Sequence, residues 1–92
     1  MTSREFHEVV LWAAKILGGS VTSTHRTVDH NRRVGGTVNS FHLGFRAADI
    51  VLDDWTRKPE LTFTLTSLGL FVLDEQWTKG CIHIDDRFDA KL

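Results

Sequence analysis

Ninety-two residues, 41% hydrophobic and 25% charged, describe a soluble globular chain of one domain (residues 1–92), because two domains would leave neither with a workable core. The formal charge of −1 gives no electrostatic footprint for nucleic acid or an acidic membrane surface, and no apolar run nears the roughly 18 residues of a membrane-spanning helix. One cysteine, Cys81, excludes an internal disulfide, so a thin core of this size has more to gain from a bound metal or a partner.

The first segment predicts an amphipathic helix. Phe6, Val9, Val10, Ala13, Ala14 and Leu17 recur on one face, Thr2 and Glu5 form a capping-box pattern, and Gly18-Gly19 supply a stop. Glu5, His7 and Glu8 interrupt the basic-then-apolar pattern of a signal peptide, so synthesis is expected in the cytoplasm, with release or export needed for any extracellular action. Ser20 to Thr27 predicts a strand, 28–39 a glycine-containing polar loop, and "AADIVLD" (47–53) a second, central strand. Segment 56–69 is ambiguous: Pro59, Leu61, Leu65 and Gly69 fit a helix, whereas Leu61, Phe63 and Leu65 alternate with threonines as in a strand. "LFVLDEQ" (70–76) and "CIHIDDR" (81–87) predict two antiparallel strands joined through Trp77 to Gly80. Together these make a small α+β unit.

Chemistry concentrates in few residues. Of five histidines, His7 sits on the first helix, and His25 and His30 read as loop residues in solvent. His42 precedes Asp49 by seven residues, a spacing that lets a loop return both side chains to one point. On the last strand, His83 and Asp85 share a face opposite Ile82 and Ile84. His42, Asp49 and His83 would make an open zinc site with a position left for water; on composition alone, such a trio in a small protein is more often coincidence. Cys81 shares the face of His83, where it could approach a metal, and reads as a small buried apolar residue. Trp55 and Trp77 read as packing residues of the core or rim.

Four ordered blocks change this balance. "STHRT", "HNRRVGG", "NSFHLGFRAADI" and "CIHIDDR" together resemble the zinc D-Ala-D-Ala carboxypeptidase family, which includes L-alanyl-D-glutamate endopeptidases and other peptidoglycan hydrolases, and whose fold Hedgehog signalling domains share. The resemblance runs from about Ser20 to Arg87. It implies a small antiparallel sheet with the N-terminal helix on one face, Zn2+ as cofactor, and His42, Asp49 and His83 as its ligands. It implies a substrate-facing, catalytic role for Arg26, and for Ser40 a hydroxyl that orients the loop or the substrate. Asn31 and Gly35-Gly36 fall at loop-shaping positions. Asp85 matches the acid of H-x-D, as support for the metal ligand or as proton acceptor, with Glu75 and Asp74 behind it and Asp86 on the wrong face. The implied function is zinc-dependent hydrolysis of a peptide bond in peptidoglycan stem peptides, by a monomer acting on the cell wall in phage lysis or wall remodelling, without nucleic-acid partners or membrane insertion.

The chain departs from that pattern in two places. Related branches carry a glutamate three residues before the last histidine, where Gly80 stands, or a histidine five residues before it, where Thr78 stands. The glycine usual three residues after the first histidine is Phe45, with Gly44 one position earlier. The missing glutamate favours an alternative, a catalytically inactive zinc-stabilised binding domain of the same fold; a metal-free accessory protein is a third reading.

Overall fold

Thr2 and Glu5 start helix α1 (Ser3–Leu17) by satisfying each other: the Thr2 hydroxyl accepts from the Glu5 amide at 3.1 Å, and the Glu5 carboxylate accepts from the Thr2 amide at 2.7 Å. The helix ends at Gly18, whose φ of 74° is left-handed and strains any residue with a Cβ. In this computed structural model residues 1–27 and 45–89 are described, with side chains at 1–24 and 46–88.

Strand β1 (Gly19–Thr27) follows at once, then β2 (Phe45–Leu52), a 3₁₀ turn (Trp55–Arg57), α2 (Lys58–Ser67), β3 (Phe71–Glu75), α3 (Gln76–Lys79), β4 (Cys81–Asp85) and a last 3₁₀ turn (Arg87–Asp89). The strands form one sheet in the order β1-β2-β4-β3, antiparallel throughout, and α1 packs across β1 and β2. The molecule is therefore α+β, as the sequence predicts. Gly19 belongs to the sheet and not to the helix stop. A Cβ there would lie 2.8 Å from the Val51 carbonyl oxygen, so the glycine lets β1 close on β2.

The ambiguous segment is helical. Pro59 occupies its first turn, Leu61 and Leu65 one turn apart are fully buried, and Phe63 is 73% exposed. The threonine alternation belongs to the helix's outer surface, where Thr66 and Ser67 return their hydroxyls to the carbonyls of Thr62 and Phe63. Phe45, flagged as a misfit, opens β2 opposite Thr27, and no described residue other than glycine has a positive φ. Gly44 lies outside the described residues, as do Asn31, Gly35 and Gly36.

Strand alternation divides β2, β3 and β4 by the parity of residue numbers, while in β1 an irregularity between Val21 and Ser23 leaves Val21 against the core and turns Ser23 to the other face. Ala48, Ile50 and Leu52 of β2 and Ile82 and Ile84 of β4 are buried with Phe6, Val10, Ala13, Ala14 and Leu17 of α1 and Leu61 and Leu65 of α2. Trp55 packs at the border of this core, whereas Trp77 is 85% exposed. The odd-numbered residues, Asp49, Cys81, His83 and Asp85 among them, take the other face. At one end the two central strands are clamped by Asp86, which accepts from the Arg46 backbone amide at 2.6 Å and its guanidinium at 2.7 Å while the Asp86 amide donates to the Arg46 carbonyl at 3.1 Å.

This division sets an expectation for stability. Ile84→Ala should cost about 2–5 kcal/mol by opening a cavity under the helices, whereas Leu73→Ala, at a 44%-exposed position of β3, should cost under about 1 kcal/mol. Urea denaturation of the two variants measures the contrast; equal losses would mean that the core does not sit on the even face.

Candidate metal centre

Asp49 and His83 face each other across the central pair of strands, as direct partners in the β2–β4 register. Their nearest atoms, Asp49 Oδ1 and His83 Nδ1, are 3.6 Å apart. This is long for a hydrogen bond, yet close to the about 3.3 Å that separates two donors of a tetrahedral ion held at zinc-like distances. Each group is also fixed from behind. Ser23, opposite Asp49 on β1, donates its hydroxyl to Asp49 Oδ2 at 2.8 Å, which leaves Oδ1 directed at the imidazole. His83 Nε2 meets Asp85 Oδ2 at 2.6 Å, which orients the ring with Nδ1 toward Asp49. A carboxylate behind a histidine is the usual means of setting the tautomer and basicity of a metal-binding imidazole. The donor set and its backing fit a divalent ion with nitrogen and oxygen ligands.

Asp85 is fully buried and heavily engaged. Besides His83 it accepts from the Arg87 amide at 3.0 Å and from the guanidinium at 2.8 and 2.9 Å. Burial pushes its carboxyl up, but the hydrogen bonds from His83 and Arg87 and the guanidinium charge outweigh burial and hold it below the usual carboxylate range. The same bond to Asp85 raises the His83 imidazole against the opposing effect of burial, and the charges of Asp85, Asp49 and Glu75 add to the rise. The Arg87 guanidinium lies 3.6 Å over the Phe71 ring, and Phe71 meets His83 edge-on at 6.4 Å between centroids, so a packed aromatic wall backs the imidazole.

Asp49 also lies close to two more donors. Asp49, Glu75 and Cys81 each place one ligand atom within 4.8 Å of the other two. Glu75 ends β3 and pairs with Cys81 of β4, and its carboxylate lies 3.4 Å from Lys79. Asp74 points elsewhere, to Lys58 at 2.6 Å, and Asp86 is held by Arg46.

Of the residues singled out in the sequence, Asp49, His83 and Asp85 converge. Arg26 has its backbone in β1 opposite Arg46, with its side chain outside the described residues. Ser40 and His42 lie outside the described residues altogether. Ser23 escaped notice in the sequence because nothing in "SVTSTHRT" marks one hydroxyl among several; only the β1–β2 register puts it opposite Asp49.

The family profile described as Peptidase M15 matches residues 11–85, most of the chain. The chain belongs to the Peptidase M15 family. The match extends from within α1 to the last residue of β4, and so takes in Ser23, Asp49, Glu75, Cys81, His83 and Asp85 of this M15 chain. No curated protein and no solved structure matches it.

Two measurements check the site. Ser23→Ala and Asp85→Asn should each weaken metal binding by about 10–100-fold, as loss of a ligand's backing does; titration with a competing chelator reads this, and unchanged affinity in both would show that neither backs a ligand. In excess chelator, the His83–Asp85 pair should shape the pH profile of stability. His83 is raised in the fold, so its contribution is present below about pH 6.5 and fades as pH climbs through its raised value. Asp85 is lowered, so its contribution is present above about pH 4 and fades as pH falls through its depressed value. The melting temperature should therefore be highest between about pH 4 and 6.5 and decline above that range, and His83→Asn should flatten that decline.

Proposed function

We propose that this M15 chain is a zinc-dependent peptidase that cleaves a peptide bond in peptidoglycan stem peptides. The observation that carries the metal part is the Asp49–His83 pair, with Nδ1 directed at the carboxylate and Nε2 tied to buried Asp85. The wall substrate is supported by the four sequence blocks that resemble the D-Ala-D-Ala carboxypeptidases and L-alanyl-D-glutamate endopeptidases. His42 completes the ligand set in this proposal. Zinc, when bound, supplies Lewis acidity that makes water nucleophilic near neutral pH.

The remaining roles fall to the protein. A general base must accept a proton from water and return it to the departing amine nitrogen. Asp85 is poorly placed for this: it is buried, and both its oxygens are already committed to His83 and Arg87. Glu75 is better placed, half-buried beside Asp49, with Lys79 at 3.4 Å from its carboxylate. In this reading Asp85 orients the imidazole, Glu75 moves the proton, and Arg26 pairs with the developing oxyanion or a peptide carboxylate. Ser40 orients the substrate. A carboxylate from β3 replaces the glutamate that related branches carry at the position of Gly80.

That same glycine supports the second reading, a zinc-stabilised binding domain without turnover. Purified muropeptides, with and without chelator, separate the two. Chelator-sensitive release of an amine supports the peptidase; stoichiometric zinc with no cleavage of any wall peptide supports the binder. For the peptidase, Glu75→Gln should lower kcat by about 100-fold or more while one metal per chain is retained. Full activity in that variant would return the base to another group.

A further inference from the structure

The mechanism above leaves one donor unused. Cys81 is 7% exposed and free of any disulfide, and it stands outside the apolar cluster beneath the helices. It lies on the odd face of β4, two residues before His83, and its sulfur is gathered with the carboxylates of Asp49 and Glu75 within 4.8 Å. A thiol kept only for its apolar volume belongs among hydrocarbon, as Ile82 is on the other face. Two carboxylates and a polarizable sulfur in one small volume instead present the mixed oxygen and sulfur donors that a borderline-soft cation binds. Asp49 faces both His83 and this group, so one ion held by Asp49 is within side-chain reach of the sulfur.

We propose that Cys81 is a thiolate donor of the metal centre, which gives this site a preference for thiophilic divalent cations that an imidazole and carboxylate set alone would lack. Binding forms a sulfur–metal bond and breaks the S–H bond, with the proton released to solvent. Cys81 would hold the ion together with Asp49, and its sulfur would supply a softer donor than the nitrogen and oxygen ligands around it. The inference rests on the metal reading of the same residues, and its test separates the two.

The experiment is cobalt(II) titration of the full metal-free chain, followed by absorption. Cys81 is the only cysteine, so a thiolate-to-cobalt charge-transfer band in the near ultraviolet reports on it directly in the unmodified protein. The expected result is that band, growing to one equivalent of cobalt and absent in both Cys81→Ser and Cys81→Ala while their visible cobalt bands persist. One more proton should be released per cobalt by the unmodified chain than by Cys81→Ala. Stoichiometric cobalt with visible bands but no charge-transfer band in the unmodified chain overturns the thiolate proposal and leaves the metal site standing. Failure to bind cobalt at all overturns both.

Discussion

The register between β2 and β4 is the constraint on which the site depends. Asp49 meets His83 only because Ile50 is set against Ile82 and Ala48 against Ile84, two pairs that lie in the core. Slippage by one residue would turn the carboxylate and imidazole into the helices and expose the isoleucines. Burial of the even face is thus what aims the odd face. The chemistry needs no alignment device of its own, since the hydrophobic effect acting on the opposite side of the same strands supplies it.

Around that pair the polar side chains form layers, each fixing the next. Ser23 and Asp85 fix Asp49 and His83 from outside, and Arg87 fixes Asp85 while stacking on Phe71. A buried carboxylate such as Asp85 is tolerable only because its partners offset the cost of removing charge from water. The same partners limit what it does: an acceptor already satisfied by an imidazole and a guanidinium is a poor receiver of a further proton. Glu75, at the end of an edge strand beside Asp49 and Cys81, has an exposed lysine at 3.4 Å in place of the guanidinium and imidazole that hold Asp85.

Much of this was legible in the sequence, for identifiable reasons. Helix α1 was, because its cap, its apolar stripe and its terminal glycine all agree. The shared face of His83 and Asp85 was too, because alternation in "CIHID" is unbroken. The helix at Lys58–Ser67 was not, since alternating leucines and threonines satisfy two periodicities at once and only packing of Leu61 and Leu65 decides between them. Ser23, Glu75 and Cys81 were hardest to weigh. Their meaning lies in which strand pairs with which, and a sheet in the order β1-β2-β4-β3 places side by side strands that are not consecutive in the chain.

The clamp between Arg46 and Asp86 bears on how the facing pair is assembled. Backbone and side-chain bonds together tie the start of β2 to the residue after β4, three residues from each of the facing donors. Asp49 and His83 are consequently brought together when the sheet forms, with no help from a cation. The entropy of bringing carboxylate and imidazole to one point is spent in folding rather than at the moment of binding. In the proposed metallopeptidase this pair is a preformed part of the receptor, set in place by the strands themselves.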